Sequence, residues 1–140
     1  MAAAGAAAPW TPPAPPEPVR HLYVHLPFCV HRCGYCDFVT LVGRPGTGEH
    51  GAYVSALLAE LAGALRPGGT PAGGVRLAEP LDSVFLGGGT PTFTEGDELL
   101  RLLRGLPPAR EVTVEANPET VTPELAAALR AAGDWPGMPY

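Results

Sequence analysis

The chain has 140 residues, 46% of them hydrophobic, and a formal net charge of −5. This length suits one ordinary domain or part of a larger one, and no run of about eighteen apolar residues is present that could span a membrane. All nine basic residues are arginines scattered along the chain, which leaves no basic stripe for binding nucleic acid.

The first segment along the chain, residues 1–18, is rich in alanine and proline and predicts a disordered, extended tail. It lacks the basic start and the leucine-rich core of a signal peptide. Residues 22–28, LYVHLPF, are partly aromatic and β-branched, and they predict a first strand. This strand leads directly into the cysteines.

Residues 29–36, CVHRCGYC, contain all three cysteines of the chain at the spacing C-x3-C-x2-C, which is too tight for a disulfide framework. Three thiolates on one short loop can bind three corners of a cubane iron–sulfur cluster and leave the fourth iron open for a ligand. A structural zinc site, with His25 or His31 as fourth ligand, is the alternative, and cysteines without a joint role are a third. The lack of a second Cys/His pair after Cys36 favours the cluster.

The middle of the chain predicts one helix and one strand. Apolar residues recur at three- and four-residue steps over residues 49–65, which predicts a helix. Its inward face contains Tyr53, Val54, Leu57, Leu58, Leu61 and Leu65. Residues 66–80 are rich in glycine and proline and predict a loop, and residues 82–86, DSVFL, predict a second, buried strand.

The run GGGTPT at residues 87–92 follows that strand and has two interpretations. It can form a turn, or its bare backbone can approach a ligand and bind an amino or carboxylate group. It lacks the lysine of a phosphate-binding loop. Residues 94–97, TEGD, then resemble a capping box that opens a second helix, whose inward side chains are Leu99, Leu100, Leu102, Leu103 and Leu106.

The last elements complete a βαβαβα order. Residues 111–116 alternate like a third strand, and Thr122 and Pro123 predict the N-cap and first turn of a third helix that ends near Gly133. This order predicts an α/β fold with a parallel sheet and helices outside. The cysteine loop, the glycine run and Glu115 then fall at the carboxyl ends of strands, where ligands gather. We expect a partly covered sheet face that includes Val84, Leu86, Val112 and Val114.

Four ordered motifs resemble one family: YVHLPFC at residues 23–29, the cysteine spacing, GGGTPT, and VEANPE at residues 114–119. They are similar to the coproporphyrinogen III oxidase-like branch of the radical S-adenosylmethionine (SAM) superfamily. The resemblance implies the N-terminal half, about three βα units, of a partial (β/α)6 barrel. It implies that a 4Fe–4S cluster is ligated by Cys29, Cys33 and Cys36, and that the SAM site is lined by Tyr23, Tyr35, Gly88, Gly89, Thr90 and Glu115.

Phe38 distinguishes two activities within that branch. The oxygen-independent oxidase, HemN, has a further cysteine at this position, whereas the HemW group of haem chaperones does not. The resemblance therefore implies a protein that binds SAM and, in its complete form, haem for delivery to recipient haemoproteins, with a reductant for the cluster. An oxidoreductase of porphyrin biosynthesis is the alternative. Cluster-binding thiols fit the cytoplasm, and neither nucleic acid nor a membrane span is expected.

The resemblance divides the chain into three parts. Residues 1–18 are the predicted tail, residues 19–133 an incomplete radical SAM core domain, and residues 134–140, DWPGMPY, an atypical end without a strand pattern. We expect a truncation or frameshift near Gly133, which removes half of the barrel together with the C-terminal domain expected to bind haem. The fragment itself is then expected to be inactive.

Overall fold

The computed structural model describes residues 17–66 and 74–133. Nearly all of the predicted tail, half of the predicted loop at residues 66–80 and the predicted atypical end at residues 134–140 lie outside the described residues. The elements in chain order are β1 (His21–Leu26), β2 (Phe28–Cys29), β3 (Leu41–Val42), α1 (Glu49–Leu65), β4 (Leu81–Gly88), α2 (Gly96–Gly105), β5 (Ala109–Val114) and α3 (Pro123–Gly133), with short 3-10 turns at Pro91–Phe93 and Pro118–Thr120.

Three of the strands form one parallel sheet in the order β1-β4-β5. The register pairs Tyr23 with Phe85, and Phe85 with Thr113. Helix α1 connects β1 to β4, and α2 connects β4 to β5, as expected where parallel strands need a crossover. The predicted α/β fold with three βα units on a parallel sheet is confirmed.

The helices cover one face of the sheet and form the core with it. Val84 and Leu86 are buried, and Val112 and Val114 pack against the same cluster. The expectation of a partly covered face is therefore wrong for Val84 and Leu86, whereas Val112 and Val114 on β5 are half-buried, as expected. Because side chains alternate along a strand, the open face contains the more polar set of His21, Tyr23, His25, Ser83, Phe85, Glu111 and Thr113.

Pro27 divides the predicted first strand into two. β1 ends at Leu26, and Phe28–Cys29 leaves the main sheet to pair in parallel with Leu41–Val42. Proline has no N–H and therefore cannot donate in a strand ladder. The short β2–β3 pair closes the base of the cysteine loop, and the chain from Val30 to Thr40 forms the loop itself.

The helix ends match the sequence pattern at two of three places. Helix α1 has the predicted bounds, and the Thr122 hydroxyl accepts from the Leu125 N–H over 3.1 Å at the start of α3. The capping box of α2 is wrong, because Glu95 is the N-cap and makes no side-chain cap hydrogen bond. The Thr94 hydroxyl is buried without a hydrogen-bond partner among the described residues, and the Glu95 carboxylate accepts from the Gly46 N–H instead.

Candidate cofactor site

The carboxyl ends of the three sheet strands meet at one edge and bring the predicted motifs together. The Gly89 N–H donates to the Leu26 carbonyl at the end of β1 over 2.8 Å, and the Glu115 N–H donates to the Leu86 carbonyl over 3.0 Å. The glycine run thus lies between the start of the cysteine loop and Glu115. This is the arrangement that a βαβαβα order predicts.

Two positions of the glycine run require glycine for steric reasons. Gly88 has φ of 117°, a backbone conformation that other residues rarely adopt. A Cβ atom on Gly89 would lie 2.6 Å from the Pro27 carbonyl oxygen and 2.7 Å from that of Phe28. The end of β4 therefore passes directly against the chain that enters the cysteine loop, and the Thr90 N–H bonds the Phe28 carbonyl over 2.8 Å.

The cysteine loop is fixed at its base and exposed at its tip. The Leu41 N–H donates to the Pro27 carbonyl over 2.8 Å, and the Gly43 N–H donates to the Cys29 carbonyl over 3.1 Å. A further bond of 3.1 Å from the Cys36 N–H to the Cys33 carbonyl forms a turn. All three thiols are free and half-buried, and they line one cavity of about 370 Å³ together with Gly88, Gly89 and Thr90.

The donor set fits an iron–sulfur cluster by its chemistry. Thiolates are the ligands that such clusters use, and no disulfide links these cysteines. Over residues 17–66 and 74–133, no three His, Cys, Asp or Glu side chains have the geometry to hold a metal ion. The loop would therefore have to draw its three sulfurs together around the cluster.

The two histidines considered as zinc ligands differ in their surroundings. The ring of His25 uses both nitrogens, because Nε2 lies 2.8 Å from the Val39 carbonyl oxygen and Nδ1 lies 3.0 Å from the Tyr23 hydroxyl. His31 lines the cavity with the cysteines. His25 therefore serves to hold the far side of the cysteine loop against β1.

Tyr35 and Glu115 line a second cavity, which shares Cys33, Gly89 and Thr90 with the first. The Tyr35 side chain is 88% exposed. A hydrogen bond to the Cys33 side chain, followed by the charge of Cys33 and of Cys36, raises the pKa of Tyr35 above its usual value. The tyrosine hydroxyl thus stays protonated beside the thiols and can donate to one of them.

Tyr23 is the predicted site residue that the structure leaves apart from the others. It lies on the open face of the sheet, where its ring stacks on Phe85 with centroids 6.1 Å apart. It lines neither of the two cavities that contain the cysteines. Its contact with the loop is indirect, through the hydrogen bond to His25.

Three residues that follow Glu115 in the sequence line the first cavity, the one that contains all three cysteines, and were not predicted as site residues: Asn117, Glu119 and Thr120. Asn117 forms a turn, in which its side chain accepts from the Glu119 N–H over 3.2 Å. The Thr120 hydroxyl is bonded to the Asn117 carbonyl and to the Thr92 hydroxyl. The available signal was their position, because they directly follow a strand whose end carries Glu115.

The described residues include no helix that is long and apolar enough to cross a membrane.

The curated proteins that are similar to this chain include haem chaperones and a radical SAM domain-containing protein. "Heme chaperone HemW" of Mycobacterium tuberculosis H37Rv is 39% identical over 86% of this chain, and that of Bacillus subtilis 32% over 82%. The chain spans about 30% of the length of these curated relatives. "Radical S-adenosyl methionine domain-containing protein 1, mitochondrial" of Bos taurus is 39% identical over 86% of this chain and 26% of its own length.

Among solved structures, the Escherichia coli radical SAM enzyme coproporphyrinogen III oxidase (HemN) is similar, with a TM-score of 0.60 and 29% identity over 83% of this chain and 26% of HemN. The predicted fold, part of a radical SAM barrel, is confirmed. Members of the radical SAM superfamily in general use SAM and a 4Fe–4S cluster, and this superfamily matches residues 23–139. Because this match extends over most of the 140-residue chain, the chain belongs to the radical SAM superfamily.

Proposed function

We propose that this chain is the cluster- and SAM-binding part of a haem chaperone of the HemW type. The observation that carries the proposal is the meeting of three free thiols, the glycine run and Glu115 at one edge of the parallel sheet. The HemW names of its relatives support the chaperone class, and so does Phe38, which stands where a HemN-type oxidase has a further cysteine.

In this proposal each predicted site residue has a defined task. Cys29, Cys33 and Cys36 hold a 4Fe–4S cluster, which supplies an open iron for SAM and an electron when bound. The N–H groups of Gly89 and Thr90 already bond the Leu26 and Phe28 carbonyls. The glycine run therefore offers carbonyl oxygens to a ligand, which suits the amino group of SAM better than its carboxylate.

The remaining residues suit the nucleoside part of SAM. The Glu115 carboxylate can accept hydrogen bonds from ribose hydroxyls, and the exposed ring of Tyr35 can pack against adenine. Asn117 adds a polar group to both cavities, and Thr120 adds one to the cavity that contains all three cysteines. Tyr23 acts through His25 and Val39, which places it in a supporting position for the loop.

The wider role follows from the same proposal. The whole protein binds haem and passes it to recipient haemoproteins, draws on a cytoplasmic reductant, and works where thiols stay reduced. The similarity to HemN favours a second candidate, a radical SAM oxidoreductase acting on a porphyrin precursor. Phe38 argues against this candidate.

The experiment that separates the two candidates is a hybrid protein. Residues 20–133 of this chain replace the matching segment of the Bacillus subtilis relative, and the hybrid is reconstituted anaerobically with iron and sulfide. We expect one four-iron cluster, an electron paramagnetic resonance signal that shifts when SAM is added, and haem that transfers to an apo-haemoprotein. Conversion of coproporphyrinogen III would establish the oxidase instead, and a signal indifferent to SAM would refute the SAM site.

A further inference from the structure

His50, the second residue of α1, is completely buried and lies beneath the base of the cysteine loop. Its ring stacks on Phe28 with centroids 4.2 Å apart and meets the edge of Phe93 at 5.8 Å. Burial of a polar ring costs free energy unless its nitrogens are bonded. A phenylalanine could form these ring contacts without that cost, so stacking alone does not explain a histidine here.

The two ring nitrogens of His50 have different environments. Nδ1 accepts from the Glu95 N–H over 3.0 Å, so the proton of the neutral ring lies on Nε2. Nε2 is buried and has no hydrogen-bond partner among the described residues. It faces Gly43, where an added Cβ atom would lie only 2.8 Å away.

Gly43 connects this contact to the cysteines. Its N–H donates to the Cys29 carbonyl, and Phe28, which stacks on the His50 ring, directly precedes Cys29. The buried His50 ring therefore lies against both segments that form the base of the loop, the one that enters it at Phe28 and the one that leaves it at Gly43. A side chain larger than hydrogen at Gly43 would also approach Phe93 and Phe28, at 3.0 and 3.1 Å.

Hydrogen bonds between α1 and α2, and at the N-cap of α2, hold the backbone around His50 in place. The Arg101 guanidinium in α2 donates to the Gly51 carbonyl in α1 over 2.8 Å. Glu95 is bonded twice, because its N–H reaches His50 and its carboxylate accepts from the Gly46 N–H. The starts of α1 and α2 thus hold both the His50 ring and the segment around Gly46, which follows the cysteine loop.

From these contacts we infer that His50 is a positioning residue for the cysteine loop, which fixes Cys29 and Gly43 against the starts of α1 and α2. It does not ligate the cluster. The inference rests on the proposed function in one respect, that the loop it positions is the cluster-binding loop. The acceptor at Nδ1 is the feature that only a histidine, or a side chain with an oxygen at the same place, can supply.

The test uses the whole 140-residue chain without cluster and measures how fast each cysteine reacts with iodoacetamide, by peptide mass spectrometry. His50→Phe retains a stacked ring but loses the acceptor, whereas His50→Asn retains an acceptor oxygen at the place of Nδ1. We expect Cys29 to react at least threefold faster in His50→Phe and at nearly the wild-type rate in His50→Asn. His21→Phe, on the open sheet face, is the matched control and should leave all three rates unchanged.

Equal Cys29 rates in wild type and folded His50→Phe would overturn the inference, as would equal acceleration of all three cysteines, which indicates general loosening. If His50→Phe does not fold, Gly43→Ala disturbs the same contact from the loop side and should accelerate Cys29 first; an unchanged rate there overturns the inference too. Iron binding is then measured separately. If the variants show the expected alkylation rates but the wild-type chain binds no cluster, the proposed function is refuted. The positioning role of His50 is then retained.

Discussion

The side-chain hydroxyl of Thr90 donates toward the Sγ of Cys29 from 4.0 Å, so the end of β4 contacts the first cysteine of the loop. The backbone makes the same connection at shorter range, because the Thr90 N–H bonds the Phe28 carbonyl. Cys33 and Cys36 have exposed neighbours on both sides. The first cysteine is thus the one whose place the fold determines.

Replacement of any one of Cys29, Cys33 or Cys36 by serine is expected to remove most of the charge-transfer absorbance after anaerobic reconstitution, because each thiolate is a required iron ligand. Visible absorbance, iron and acid-labile sulfide are measured together. His31→Gln is the matched control, since His31 lines the same cavity. Stoichiometric zinc in the wild type that is lost in His31→Gln would establish a Cys3His zinc site and contradict the cluster.

Glu115→Ala is expected to weaken SAM binding by about 1–3 kcal/mol, the usual cost of leaving a hydrogen-bond partner unsatisfied. Isothermal titration of the reconstituted protein under argon measures the change. Glu111→Ala serves as control, because Glu111 lies earlier on β5 and lines neither cavity with the cysteines. Equal affinities in wild type and Glu115→Ala would remove Glu115 from the SAM site.

Gly89→Ala is expected to destabilise the fold by more than about 1 kcal/mol, because the new methyl group meets backbone that cannot move aside. The Pro27 carbonyl oxygen would lie 2.6 Å from it. Gly63→Ala in α1 is the matched control, with no atom within 4 Å of the added Cβ, and should stabilise the helix by about 0.5–1 kcal/mol. Urea unfolding followed by circular dichroism gives both values, and a neutral Gly89→Ala would contradict the close approach.

The ionisation of Asp82 is expected to make the stability of the fold depend on pH. A hydrogen bond from Arg20, with the charges of Arg20, His21 and Arg110, lowers the pKa of this carboxyl group below its ordinary value. A lowered folded-state pKa stabilises the fold above the unfolded pKa of about 4, and this contribution is lost as the pH falls through the folded value. Asp82→Asn should therefore be less stable than wild type at pH 7, and the two should converge near pH 2.

Thermal unfolding at several pH values tests this expectation. Glu60→Gln is a suitable control, because Glu60 is exposed and forms no ion pair among the described residues. A difference between Asp82→Asn and wild type that stays constant down to pH 2 would show that lost packing, rather than charge, causes the effect.

The sequence predicted the elements with a regular period well. The apolar steps of α1 yield its observed bounds, and Thr122 caps α3 as expected. The sheet order follows from the alternation of strands and helices. The helix bounds and the cap depend on residues close together in the chain, where local preference and tertiary structure agree.

The wrong predictions share a different cause, because each depends on contacts far apart in sequence. How completely the helices cover a sheet face depends on their packing, so the full burial of Val84 and Leu86 on that face was not predicted. Glu95 displaces Thr94 as the N-cap of α2, with its N–H bonded to His50 and its carboxylate to Gly46. The role of His50 itself is visible only after the fold brings Phe28, Gly43 and Phe93 around it.

The break at Pro27 has a consequence for cofactor loading. Because β2 and β3 form their own ladder, the loop can contract around a cluster without unzipping β1 from β4. Amide hydrogen exchange should then slow at Leu41 and Gly43 when iron and sulfide are supplied, while the amides of Val24 and Leu86 keep the same protection. The sheet and the cysteine loop thus have separate strand ladders, linked by Pro27 and by the contacts that Thr90 and His25 make with the loop.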